Sequence, residues 1–243
     1  MNPDIYTRMA EIEGDHWWFR ARREIVASLI KGLHLPPRAR VLDAGSGTGG
    51  NLSMLGGFGE VVGMELDEGA RALAARKTGA PVLAGRLPDQ LPFPEGSFDL
   101  ITLLDVLEHV EEDQATLEAL ARTLRPDGHL LLTVPAFPFL WSDHDVVHRH
   151  YRRYRLRALV NRVEAAGLRV TYASYYNTFL FPLIAAIRLM EKAAGMKGGH
   201  DLAVPSPWLN RLLGWIFASE RRWLGRVVFP FGVSIVLLAR RPS

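Results

Sequence analysis

An α/β chain with a largely parallel, buried sheet is what this sequence predicts, and three stretches carry the prediction. Val41-Leu42-Asp43-Ala44 is a short apolar strand running into Gly45-Ser46-Gly47-Thr48-Gly49-Gly50. Glycines alternating with small residues read as a tight turn that opens a helix, because glycine adopts angles closed to other residues and lets a ligand approach the backbone. Val61-Val62-Gly63-Met64 is a second strand, ending at Glu65, 22 residues after Asp43. Phe98 to Leu104 is almost continuously apolar, as a central strand buried on both faces should be.

By spacing, Gly45-x-Gly47-x-x-Gly50 fits the dinucleotide fingerprint, and the helix beyond it offers free N–H groups to a carboxylate or phosphate. Glu65 suits an acidic clamp on ribose hydroxyls. Downstream come Leu91-Pro92-Phe93-Pro94-Glu95-Gly96-Ser97-Phe98-Asp99, then Asp105-Val106-Leu107-Glu108-His109, then Leu124-Arg125-Pro126-Asp127-Gly128-His129-Leu130. In this order, across about residues 36–175, the chain resembles the class I S-adenosylmethionine (SAM) methyltransferases. The likeness is to the small-molecule branch that includes the ubiquinone-pathway O-methyltransferases.

The resemblance implies SAM as cofactor and a Rossmann-like seven-stranded sheet in the order 3-2-1-4-5-7-6, with strand seven antiparallel. It implies that the loop of Gly45, Ser46, Gly47 and Gly49 holds the methionine carboxylate and that Asp43 engages the amino group. Glu65, with Leu66 beside it, takes the ribose, while Asp105, Val106 and His109 line the pocket near the methyl group. At the third strand the chain departs from the pattern. Gly85-Arg86-Leu87 stands where relatives carry an aspartate for the adenine amino group. Guanidinium only donates, so that contact falls to backbone around Arg86 and Leu87 or to Asp89.

At 243 residues the chain has room for one large α/β domain and a small appended module. The absence of cysteine excludes disulfides and any methyl transfer through a cysteine adduct, and fits a reducing cytoplasm. Met1 to Tyr6 has neither the basic start nor the apolar core of a signal peptide. Residues 1–147 carry 13 Lys/Arg against 22 Asp/Glu, a balance of −9, whereas residues 148–226 carry 14 against 4, a balance of +10. Such asymmetry points to an acidic partner for the later half, against the plainer account of a solvated basic surface.

Four regions follow. Residues 1–35 contain a helix from Trp17 to Leu33, expected to lie over the cofactor as a lid, with Trp17, Arg20 and Arg23 toward an anionic substrate. Packing of the tryptophans on the sheet is the competing account. Residues 36–176 form the SAM-binding core, and Glu108-His109 opens the helix after its fourth strand. That pair offers two metal ligands where a site needs more, so no metal is expected. The enzymes that methylate nucleobase amines carry an Asn/Asp-Pro-Pro-aromatic motif where this chain has Asp105-Val106-Leu107.

The loop leaving the fifth strand holds Asp143-His144-Asp145-Val146-Val147-His148-Arg149-His150-Tyr151-Arg152-Arg153. Methyl transfer to a hydroxyl needs alignment and a base, and a histidine suits that base. His144 and His148 are the catalytic candidates, oriented by Asp143 or Asp145, with Arg149, Tyr151 and Arg152 for substrate. Structural or phosphate-binding roles for these histidines are the competing account.

Residues 177–231 are a helical insertion between strands six and seven, and 232–243 hold the final strand. Phe179 to Ile187 is apolar but too short to span a bilayer. Trp208 to Val228 mixes Trp208, Trp215 and Trp223 with Arg211, Arg221, Arg222 and Arg226. That mixture suits a membrane interface, a substrate cap or a homodimer face, and 195–207 between the two parts reads as a mobile loop. The expected function is SAM-dependent O-methylation of a small or lipid-linked anionic acceptor. The expected location is cytoplasmic, with peripheral contact on the inner membrane face through 178–226. A methyltransferase of nucleic acid or protein, or a non-catalytic SAM-binding protein, are the alternatives.

Overall fold

The computed structural model describes residues 3–194 and 204–243. Seven strands form one sheet: β1 (Arg40–Ala44), β2 (Glu60–Glu65), β3 (Val82–Ala84), β4 (Phe98–Leu104), β5 (Leu124–Pro135), β6 (Arg169–Tyr176) and β7 (Ser234–Arg240). Their order is β3-β2-β1-β4-β5-β7-β6. β1 runs parallel to β2 and β4, and β4 parallel to β5, while β7 is antiparallel to both β5 and β6. The order and the reversed last strand are those implied by the resemblance.

Alternation along the central strands divides the core between the two faces. Leu42, Ile101, Leu103, Leu130 and Leu132 face one side, where Leu117, Leu120, Leu159 and Val163 of helices α5 (Asp113–Thr123) and α7 (Leu156–Ala165) cover them. Val41, Leu100, Leu104, Leu131 and Val236 face the other, under Ile25, Val26, Leu29 and Ile30 of α2 (Trp17–Lys31) and Phe217 of α9 (Pro207–Ser219). The insertion is therefore part of the core on its inner side. Phe217 is fully buried, and burying a side chain of that kind stabilises by about 1.5–3 kcal/mol.

Several elements differ from expectation. A helix α1 (Pro3–Ile12) precedes α2, so the N-terminal segment is a helical pair. Leu107–His109 is a single 3-10 turn that ends at the extended residue Val110, and α5 starts only at Asp113, so Glu108-His109 does not open that helix. The second part of the insertion is not one helix to Val228: α9 stops at Ser219 and a 3-10 turn, Glu220–Arg222, follows. The 195–207 stretch expected as a mobile loop falls largely outside the described residues, up to 203. The remaining helices are α3 (Leu52–Leu55), α4 (Glu68–Thr78), α6 (Asp143–Val147) and α8 (Phe181–Ala193).

Glu220 explains where α9 stops. Its carboxylate is buried and accepts the backbone N–H groups of Asn177, Thr178 and Phe179 at 2.7, 2.7 and 2.9 Å. One side chain thereby satisfies the turn leaving β6 and ties it to the end of α9. Leaving buried donors unsatisfied costs about 1–3 kcal/mol each, so Glu220→Ala is expected to lower unfolding free energy in urea by about 3 kcal/mol or more. Burial also pushes the Glu220 carboxyl from 4.5 up to about 7, against the pull of those three donors. The unfolded carboxyl then loses its proton first, so stability declines as pH rises from about 4.5 to about 7. Glu220→Gln should flatten that decline. An unchanged slope contradicts the assignment.

Candidate functional site

The carboxyl ends of β1, β2 and β4 open onto a cavity of about 840 Å³. The glycine turn forms one wall of it. Gly45 N and Ser46 N both donate to Met64 O, at 2.8 and 3.0 Å, which folds the turn back onto β2. Two positions require glycine. Gly45 has φ +76°, and a Cβ there would lie 2.6 Å from Val106 Cγ2. Gly49 has φ +81°, with Ala74 Cβ 2.9 Å from where its own would be. Gly45, Ser46, Gly47 and Thr48 all line the cavity.

Acidic groups gather around this turn. Asp43 is buried behind it; Oδ1 accepts from Thr102 Oγ1 at 2.7 Å, and among the described residues Oδ2 has no hydrogen-bond partner. Burial pushes its carboxyl up to about 6, although the Thr102 hydrogen bond and nearby Arg22 pull the other way. Glu65 Oε2 accepts from Gly47 N at 2.9 Å, and Oε1 from Asp67 N at 3.0 Å and Tyr6 Oη at 3.3 Å. Asp105 sits at φ +57°, a conformation few non-glycine residues adopt. It is paired with Arg22 and accepts from Thr133 Oγ1 at 3.1 Å. Glu108, also buried, lines the same cavity; burial and then neighbouring Asp105 raise its carboxyl well above the ordinary range.

The N-terminal helices close over the turn. Glu13, between α1 and α2, accepts from Thr48 Oγ1 at 2.8 Å and Lys77 Nζ at 2.5 Å. Arg22 stacks over Trp18 with its guanidinium carbon 4.6 Å from the ring centroid. The pair is held from outside by α9, where Asn210 Oδ1 accepts Trp17 N at 2.8 Å and Nδ2 donates to Asp15 O at 2.8 Å.

Opposite the turn stand four histidines. The rings of His144 and His148 lie 4.2 Å apart by centroid, and those of His109 and His150 lie 4.6 Å apart. Burial, then His150 and His148, push the His109 imidazole down to about 3. Asp145 is fully buried; it accepts from Arg153 Nε at 2.8 and 3.0 Å and Ser142 N at 2.9 Å, and lies 2.8 Å from His150 Nδ1. The carboxylate expected to orient His144 or His148 thus serves His150. The reason is local: Arg149 at φ +56° turns the chain back after α6, and His150 N donates to Asp145 O at 2.8 Å.

Of the residues singled out from sequence, Trp17, Gly45, Ser46, Gly47, Glu65, Leu66, Arg86, Leu87, Asp105, Val106, His109, His144, His148 and Tyr151 line the cavity. Asp43 and Gly49 lie behind its wall. Arg20, Arg23, Arg149 and Arg152 are not in the wall: Arg20 and Arg149 are exposed, Arg23 donates to Glu13 O, and Arg152 pairs with Asp113 at 2.8 Å. Sequence reading missed Tyr6, Glu13, Arg22, Glu108 as a cavity group and His150. For Arg22 a signal existed, since with Trp18, Ile25 and Leu29 it falls on one buried helical stripe.

A family model described as methyltransferase domain matches residues 16–173. The chain is 31% identical over 157 residues to a demethylmenaquinone methyltransferase of Mycolicibacterium vanbaalenii, a match covering 64% of this chain and 63% of that relative. The chain thus spans less than two thirds of that relative's length. Among solved structures it is similar to the methyltransferase bound to the Trm112 activator of Haloferax volcanii, with a TM-score of 0.64 at 17% identity, covering 99% of this chain and 96% of that one. Phosphoethanolamine N-methyltransferase 2 of Haemonchus contortus, solved with S-adenosyl-L-methionine, has a TM-score of 0.60 at 16% identity, covering 88% and 51%. At those identities the likeness is one of fold.

Proposed function

The chain belongs to the methyltransferase-domain family, and on that premise we propose that it moves a methyl group from SAM to an oxygen of a small or lipid-linked anionic acceptor. The observation that carries the reading is the acidic floor beneath an open glycine turn. Among the described residues Asp43 Oδ2 is buried with no hydrogen-bond partner within ordinary distance, and a ligand with an ammonium and a sulfonium adds positive charge beside it. Gly45 and Gly47 let the methionine end of that ligand approach the turn closely, while the N–H groups of Gly45, Ser46 and Gly47 are themselves engaged by Met64 O and Glu65. Glu65 Oε2 accepts one N–H in the structure, so it keeps capacity for a ribose hydroxyl. The strip from Gly85 to Asp89, which lines the cavity, lies where the adenine would be held. Val106 and His109 flank the floor.

SAM, when bound, supplies a methyl carbon on sulfonium sulfur, so forming the acceptor O–C bond breaks the S–C bond with no oxidant. The chain's own part is alignment and proton removal. His144 or His148 takes the acceptor proton, and Arg22 holds the Asp105 carboxylate in place. The relative's name makes demethylmenaquinone its substrate, which accords with a lipid-linked acceptor that is apolar along its tail and anionic at its reacting end. Three arginines of the basic half are paired internally, Arg152 and Arg162 with Asp113 and Arg153 with Asp145. That counts against a polymer bound along this half.

We place the lipid-linked acceptor at a membrane surface because the outer faces of the insertion are apolar and aromatic. Trp208, Leu212 and Trp215 fall on one stripe of α9, Leu183, Ile187 and Met190 on one of α8, and all six are exposed. The other stripe of α8 carries Ile184 and Arg188 in the cavity wall. Among the described residues no helix is long and apolar enough to cross a membrane, so the contact is superficial. Sedimentation with anionic phospholipid vesicles is expected for the wild type and lost in Trp208→Glu/Trp215→Glu. A wild type left in the supernatant overturns this face.

The cofactor reading has a pH signature. Asp43 must be ionised to hold a cation, and burial keeps its carboxyl at about 6. Calorimetric SAM affinity should therefore weaken below pH 6 by up to about tenfold per unit and level off above pH 7. Asp43→Asn should bind more weakly at pH 8 and lose the dependence. Affinity that is flat with pH in the wild type contradicts this role for Asp43.

A further inference from the structure

We propose that Glu108, His109 and His150 form a binding site for a divalent transition-metal ion, which nothing in the family likeness assigns. Among the described residues these three side chains bring one ligand atom each to within 4.8 Å of one another. Two histidines and one carboxylate are a donor set for zinc, cobalt, iron(II) or manganese(II), and three protein ligands leave coordination positions open.

The surroundings are those of a ligand set already oriented. His150 Nδ1 is 2.8 Å from the Asp145 carboxylate, which leaves Nε2 as the ligating nitrogen. Asp145 is itself fixed by Arg153. A hydrogen bond with the His148 backbone engages the His109 ring. Metal-bound histidines characteristically donate their second N–H to a carboxylate or carbonyl, which fixes tautomer and ring direction. Both histidines here have such an acceptor. The third ligand supplies an independent observation: Glu108 is 1% exposed, and among the described residues its buried Oε2 has no hydrogen-bond partner. An orphaned carboxylate oxygen in that position is costly unless a cation meets it.

The backbone holds the two halves of the set together. Tyr151 N donates to Glu108 O at 2.7 Å, clipping the segment that carries His150 onto the 3-10 turn that carries Glu108 and His109. All three ligands line the cavity into which the glycine turn opens. An ion held by these three residues would lie at the cavity wall and would supply Lewis-acid stabilisation to an acceptor oxygen whose proton His144 or His148 takes. The acceptor class is thereby narrowed to an ionisable hydroxyl or a pair of adjacent oxygens. The role given to the ion rests on the methyl-transfer reading; its binding does not.

The test uses the full chain stripped with EDTA and titrated with CoCl2, followed by visible absorption, with ZnCl2 titrated by calorimetry. The expected result is one equivalent of Co2+ giving d–d bands that Zn2+ displaces. Glu108→Gln and His150→Ala should each weaken Co2+ binding by about 100-fold or more, beyond the roughly 10–100-fold cost of losing an outer-shell partner. His109→Gln replaces His150→Ala if the latter fails to fold by circular dichroism. Absence of d–d bands in the wild type, or equal Co2+ affinity in the variants, overturns the site. SAM titrated into the same preparation separates the two readings. SAM bound without Co2+ sinks the ion site alone, while Co2+ bound without SAM leaves the ion site standing and sinks the methyl-transfer reading.

Discussion

Negative charge packed at the carboxyl ends of β1, β2 and β4 is the constraint that the rest of the site answers. Asp43, Glu65, Asp105 and Glu108 are gathered around one glycine turn, and Asp43 and Glu108 are almost wholly buried. Carboxylates so placed repel one another and lose hydration, so each needs a compensating group. Glu65 has backbone N–H groups, and Asp105 has Arg22. Asp43 has Thr102 on Oδ1 with Arg22 and Asn51 nearby, and among the described residues Glu108 Oε2 has no hydrogen-bond partner, only the more distant charges of Arg22 and Arg153. The two incompletely compensated groups are the ones to which the account assigns a cationic ligand. The acidic first half of the chain is therefore a property of the site as well as of the surface.

Arg22 links that charge to the architecture. It reaches Asp105 from α2, and α2 is held in place by α9 through Asn210 and Phe217. α9 in turn is tied to the end of β6 by the Glu220 carboxylate. The insertion before β7 thus has two jobs on two faces. Its inner face packs on the helix that carries Arg22 in the cavity wall, and its outer face presents tryptophan, leucine and isoleucine to the surroundings.

Legibility in the sequence followed the range of the interaction. The strands, the glycine turn and Glu65 were readable because apolar runs and local backbone demands are written in consecutive residues. The swapped final strands came from the family resemblance rather than from any pattern in the chain. The histidine cluster was only half readable. His144 and His148 are spaced to share one side of a short helix, but His150 meets Glu108 and His109 through contacts between distant segments, among them the hydrogen bond from Tyr151 to Glu108, 43 positions apart. The pairing of Asp145 with His150 depends on a left-handed residue at Arg149, which nothing in an arginine announces. Arg20 and Arg23 share the helix expected over the cofactor, but Arg22 is the one whose helical phase turns it inward.

The central claim is methyl transfer to a lipid-linked acceptor at a membrane surface. Its most direct test incubates the chain with methyl-labelled SAM and a lysate of the source cells, then separates lipid, aqueous small-molecule, nucleic-acid and protein fractions. Label is expected in the lipid extract, and is absent when Asp43→Ala replaces the wild type. Label confined to the nucleic-acid or protein fraction would contradict the claim.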